Sequence, residues 1–157
     1  MALRGLLLCL MLFGASTVTA SEQESLAAGP SPFVLIARLH ALPNAAERVV
    51  ALSRDVDAKV ERGEPGMLLH TFDADPDDPN KFVWTEVYRK SEDFLFHADN
   101  PPVQDYVAKH SELATHFSIE IYGNVSQEVI DKINSLEIPL KHFATTSVGY
   151  VRSERFV

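Results

Sequence analysis

From Phe33 onward, runs of apolar residues alternate with short polar, breaker-rich stretches, and the runs change period along the chain. Residues 33–41 (FVLIARLHA) are apolar and rich in strand-forming residues, which predicts a strand. Pro43-Asn44 opens a helix, with Asn44 as its cap and Glu47 three residues further on. Val49, Ser53, Val56 and Val60 recur on one face of it, and Gly63 closes it. After Pro65-Gly66, residues 67–72 (MLLHTF) predict a second strand, residues 73–80 (DADPDDPN) a turn, and residues 81–89 (KFVWTEVYR) a third strand closing a hairpin.

Ser91 caps a short helix through Phe94, Leu95 and Phe96, which Asn100-Pro101-Pro102 interrupts. A second piece, residues 103–113, aligns Val103, Tyr106, Val107 and His110. Residues 115–122 (THFSIEIY) alternate as a fourth strand, and Ser126 caps a helix bearing Val129, Ile130, Ile133 and Leu136. The tail, 140–157, reads as an edge strand or as an arm around a neighbour. The order β-α-β-β-α-β over residues 33–123 is the α+β, ferredoxin-like plan: antiparallel strands with helices on one face, extended by the helix and tail of 124–157.

One feature of the pattern bears on assembly. On the third strand Phe82, Trp84 and Tyr88 face one way and Val83 and Val87 the other; the first strand is likewise apolar on both sides. A sheet wetted on one face alternates apolar with polar. At roughly 25 cal/mol per Å², leaving such a face in water costs many kcal/mol, so a second sheet in a two-fold homodimer is expected to cover it.

The N-terminus follows other rules. Residues 1–20 (MALRGLLLCLMLFGASTVTA) place Arg4 before an apolar run too short to span a bilayer, then small residues ending in Val18-Thr19-Ala20. This predicts a signal peptide cleaved after Ala20, export, and no stable membrane insertion afterwards. Residues 21–32 (SEQESLAAGPSP) read as a flexible leader. The single cysteine, Cys9, leaves with the signal, so no thiol nucleophile or cysteine-bound zinc is expected. The 157 residues carry a net charge of −8, which argues against nucleic acid or anionic lipid as partner.

The motifs narrow the chemistry further. Asp73, Asp75, Asp77 and Asp78 begin like a calcium loop, but Asp78 stands where glycine is needed and Trp84 where glutamate is needed. Histidines 40, 70, 97, 110, 116 and 142 make no i, i+4 helical pair, so no metal is expected. No phosphate loop, nucleophile elbow or dinucleotide fingerprint appears. Phe82, Trp84, Glu86 and Tyr88 share one face of the third strand, and His97 follows in the next helix. An acid, an imidazole, a phenol and an indole around an apolar cavity suit binding a planar aromatic and removing its phenolic proton. Taken singly, each also fits a plainer role in core, interface or surface.

Residues 64–72 (EPGMLLHTF), 82–89 (FVWTEVYR) and 94–103 (FLFHADNPPV) together resemble the antibiotic biosynthesis monooxygenase family. The resemblance covers about residues 33–123 and implies a dimeric α+β barrel that oxidises phenols, quinols or polyketide-like aromatics with O2 and no metal or flavin. It implies His97 as general base, Glu86 as its orienter or a polar anchor, and Trp84, Tyr88, His70 and Phe82 as substrate-lining residues. A non-catalytic small-molecule binder or stress-associated protein on the same scaffold is the alternative, and isomerisation or decarboxylation by the same base a third.

Overall fold

The computed structural model describes residues 31–156; the export signal read at 1–20 and residues 21–30 of the leader lie outside them. The elements run β1 (Phe33–Ala41), α1 (Ala46–Gly63), β2 (Met67–Ala74), β3 (Lys81–Tyr88), α2 (Ser91–Asp99), α3 (Pro101–His110), β4 (Ala114–Tyr122), α4 (Gln127–Ser135) and β5 (Leu140–Phe143), with a 3-10 turn at Ser153–Arg155. The sheet order is β2-β3-β1-β4-β5. Its first four strands pair antiparallel, so the expected ferredoxin-like plan is present. The tail adds an edge strand: β5 joins β4 in parallel, Ile119 opposite Leu140, because α4 carries the chain back across the sheet before it pairs.

Period-two alternation sends Leu35, Ala37 and Leu39 of β1, and Phe82, Trp84, Glu86 and Tyr88 of β3, to the helix-covered face. α1 meets them with Val49, Ser53, Val56 and Val60, all buried as the helical period predicts. Two turns of α-structure then end at Asn100, whose ψ of 124° is the extended setting forced on a residue before proline. That break separates α2 from α3.

The caps differ from expectation. Asn44 has φ 64°, the left-handed setting that asparagine tolerates, and lies inside the turn; Ala45 occupies the cap position of α1 with no side-chain bond. Ser91 is the first helical residue of α2, and its Oγ accepts the Ser126 N–H at 2.9 Å, tying α2 to the start of α4. Ser126 does sit at the N-cap of α4, but its hydroxyl makes no capping bond. In the β2–β3 turn, Asp75 accepts the backbone N–H groups of Asp77 and Asp78, a solvated turn rather than a calcium loop.

The open face of the sheet is mixed. Val34, Ile36, Val83 and Val87 are half-buried there, whereas Arg38 pairs with Glu120 at 3.5 Å. The apolar character read from β1 and β3 is thus confined to their half of the face, because β4 turns Ser118 and Glu120 outward. Beyond β5 the tail passes the rim near Val34 and Val87 and leaves Val148 95% and Tyr150 77% exposed.

Candidate active site

The helix-covered face of the sheet carries a part-open cavity of about 100 Å³. Its walls are largely aliphatic and aromatic: Leu35 and Ala37 from β1, Val56 from α1, Phe94 and Ala98 from α2, Val103 from α3, Phe117 and Ile119 from β4, and Ile133 from α4. Polar atoms enter from His70, Trp84, Glu86, His97, Gln104 and Tyr106.

His97 is held by a residue that sequence reasoning passed over. Its Nδ1–H donates to Glu64 Oε2 at 2.8 Å, while Asn100 Nδ2 donates to Glu64 Oε1 at 2.7 Å. Glu64 follows the last residue of α1, and its carboxylate is buried, 4% exposed. Pro65-Gly66 then turns the chain into β2. A Cβ on Gly66 would stand 2.0 Å from Asp93 Oδ1, so only glycine lets this turn lie against α2. The close approach brings Glu64 within reach of His97, one helical turn beyond Asp93.

With Nδ1–H committed to a carboxylate, the neutral imidazole carries its lone pair on Nε2, which has no protein partner among the described residues. Burial alone would push His97 down; the Glu64 hydrogen bond and the charges of Glu86 and Glu64 outweigh it and raise the imidazole above its ordinary value. Burial likewise favours a higher Glu64 value, but the bonds from His97 and Asn100 win and hold the carboxyl low. The pair is therefore an ionised acid orienting a strengthened base. Of the two roles expected of Glu86, that of orienting His97 falls to Glu64, and Glu86 remains a polar group of the cavity wall.

Glu86 has its own partners. Tyr88 O–H donates to its Oε2 at 2.7 Å, and His70 Nε2 lies 3.7 Å from its Oε1. His70 reaches the other way to Asp57, with Nδ1 2.9 Å from Oδ1, and stacks on Trp84 at 4.1 Å. Trp84 Nε1–H donates to Tyr106 Oη at 3.0 Å, and Ser53 Oγ lies 3.2 Å from the same oxygen, joining β3, α3 and α1.

Of the residues read from sequence, His97, Glu86, Trp84 and His70 meet at the cavity. Two do not line it. Tyr88 is fully buried behind Glu86, stacked on Phe33, and burial with the Glu86 charge raises its phenol well above the ordinary value. Phe82 faces the same side but lies too far along β3 and stacks on Phe72 instead. Tyr106 and Asn100 were read only as a helix stripe and a helix break, and Gln104 not at all. Glu64 was within the quoted Glu-Pro-Gly motif, and a carboxylate placed just where a helix must turn into a strand was its available signal. No group of three or more His, Cys, Asp or Glu is arranged for a metal ion among the described residues.

The relatives agree with this architecture. The Synechocystis protein sll1783 is 28% identical over 103 residues, 65% of this chain and 69% of the relative. The solved structure of Rv0793 from Mycobacterium tuberculosis matches with a TM-score of 0.55 at 24% identity, covering 62% of this chain and 98% of that one. That of SO0527 from Shewanella oneidensis matches with a TM-score of 0.56 at 20% identity, covering 59% and 90%. At these identities the likeness to solved structures shows a shared fold. The profile of the antibiotic biosynthesis monooxygenase family matches residues 32–109, the segment that supplies Glu64, His70, Trp84, Glu86 and His97, and through it the chain belongs to that family.

Proposed function

We propose that this protein is a cofactor-independent monooxygenase acting on a small phenolic or quinol substrate. The observation that carries the reading is His97, oriented by Glu64 with its free Nε2 at an apolar cavity. The imidazole removes the phenolic proton, and the low-dielectric walls keep water from competing. The phenolate passes one electron to O2, and the resulting radical and superoxide combine at a ring carbon. His97 returns its proton to the peroxide. The base then takes the hydrogen of that carbon as the O–O bond breaks, leaving a new carbonyl and one molecule of water. The substrate supplies all four electrons, so no reductant enters. Glu86, Trp84 and His70 bind and orient the ring.

Two further elements belong to this reading. The signal-like residues 1–20 support export. The half-apolar open face and the exposed tail residues Val148 and Tyr150 support a homodimer in which both are covered. Oxygen uptake over a panel of phenols, hydroquinones and anthrones, with His97→Ala as control, tests the activity. The reading expects turnover that the variant loses. Absence of uptake across the panel, or full activity in the variant, overturns it in favour of a binding protein.

A further inference from the structure

We infer that the turn joining α4 to β5, residues 136–138, forms one side of the entrance to the cavity, and that Leu136 there controls what enters, passing uncharged molecules and holding back anions. Access is a separate property from the oxidation proposed above, and holds whether or not that reaction occurs.

Exposure locates the opening. The cavity walls from β1, β3 and α2 are buried, whereas Gln104 of α3 is exposed and Leu136, at the end of α4, is 41% exposed. Val107, Phe117 and Ile138, which also line the cavity, are half-buried. The cavity therefore meets solvent between α3 and the turn after α4, with β4 at its base. On the β2 side His70 closes the wall, its side chain only 9% exposed.

The turn is held in that place. Lys132 of α4 pairs with Asp99 at the end of α2, and the Pro139 carbonyl accepts the Ile119 N–H at 2.9 Å, tying the turn to β4. Between these anchors Glu137 has φ 56°, a left-handed setting that side chains other than glycine and asparagine seldom adopt, and its N–H donates to the Asn134 carbonyl at 3.0 Å. Such strain persists where the surroundings over-determine it, and it gathers at ligand sites. Here it stops α4 and reverses the chain, so that Leu136 and Ile138, on either side of Glu137, both reach the cavity. All three residues lie beyond the 32–109 segment that matches the family, so this side of the entrance is built by the chain's C-terminal extension.

Charge and polarity set the selection. The rim is apolar except for the Gln104 amide, whose Nε2 donates to the Ala98 carbonyl. A charged molecule crossing it gives up hydration, while a neutral one loses little. An anion also meets the exposed Glu137 at the turn and the Glu86 carboxylate within.

Thiol labelling tests this without a substrate. In the full chain carrying Cys9→Ser, Ala98→Cys places a thiol in the cavity wall, and Glu128→Cys places an exposed one on α4 for reference. The rate advantage of neutral methyl methanethiosulfonate over its anionic sulfonatoethyl counterpart should be roughly tenfold or more greater at Ala98→Cys than at Glu128→Cys. Adding Leu136→Ala should speed modification of the cavity thiol severalfold, Leu136→Trp should slow it severalfold, and Leu136→Arg should shrink the neutral advantage. Val103→Cys, in the α3 wall, repeats the series where Ala98→Cys does not fold. Cavity-thiol rates unmoved by Leu136→Ala and Leu136→Trp overturn the entrance, as does acceleration by His70→Ala alone. An equal neutral advantage at both thiols overturns the selection. Oxygen uptake is read separately: its absence removes the oxidation and leaves the entrance, whereas uptake with rates blind to Leu136 does the reverse.

Discussion

Replacing Glu64 by Gln isolates the group that makes His97 a base. The substitution keeps the shape of the side chain and the bond to Asn100, but removes the charge 2.8 Å from Nδ1. A hydrogen bond to a charged group contributes about 1.5–3 kcal/mol, and that support for the imidazolium disappears. The amide can also present its N–H to Nδ1, which moves the ring proton to Nε2 and leaves no lone pair toward the cavity. General-base catalysis typically contributes about 10²–10⁴ in rate, so kcat for phenol oxidation should fall by that order. The pH profile discriminates this from a merely structural loss. In the wild type the base must be neutral, so activity rises with pH through a midpoint above the ordinary imidazole value of 6.5. In Glu64→Gln any residual activity should rise at a lower pH, with far-ultraviolet circular dichroism unchanged. A variant with wild-type rate and midpoint would refute the assignment of Glu64.

Other expectations follow from the same geometry. Tyr106→Phe strands the Trp84 N–H and the Ser53 hydroxyl, which should lower stability by about 1–3 kcal/mol in urea denaturation. Gly66→Ala forces α2 away from the turn, so oxygen uptake should fall more steeply than thermal stability as His97 loses Glu64. The protonated His97 adds stability that is lost as pH rises through its raised value, and ionised Glu64 adds stability that is lost as pH falls through its lowered one. Their joint contribution is therefore full between their ordinary values of 4.5 and 6.5, and a denaturation series in which His97→Ala flattens that part of the curve checks it. Truncation after Phe143 should convert the proposed dimer toward monomer in sedimentation experiments.

The fold was legible because its signals are local and periodic. The valine stripe of α1, the alternation of β3 and the Asn-Pro-Pro break each report which face is buried without knowledge of neighbours. The parallel pairing of β5 was not, since four residues (LKHF) carry no direction and α4 decides where they land. The caps failed where tertiary bonds outbid local ones: Ser91 serves the N–H of Ser126, not its own helix. At the site, Glu86 and His97 were visible as polar residues on an apolar face, but which acid meets His97 depends on how closely the Gly66 turn packs on α2. Sequence spacing does not encode that distance. Tyr88 and Phe82 shared the right face of β3, yet only position along the strand separates lining from core.

The central claim is that the imidazole at 97 takes a proton from a bound phenol before oxygen is involved. An ultraviolet difference spectrum of the anaerobic complex, at a pH well below the phenol's own pKa, reads that event directly. The account predicts the phenolate band with the wild-type protein and its loss in His97→Ala, with the ligand still bound. A neutral phenol spectrum in the wild type, or an undiminished phenolate band in the variant, contradicts it.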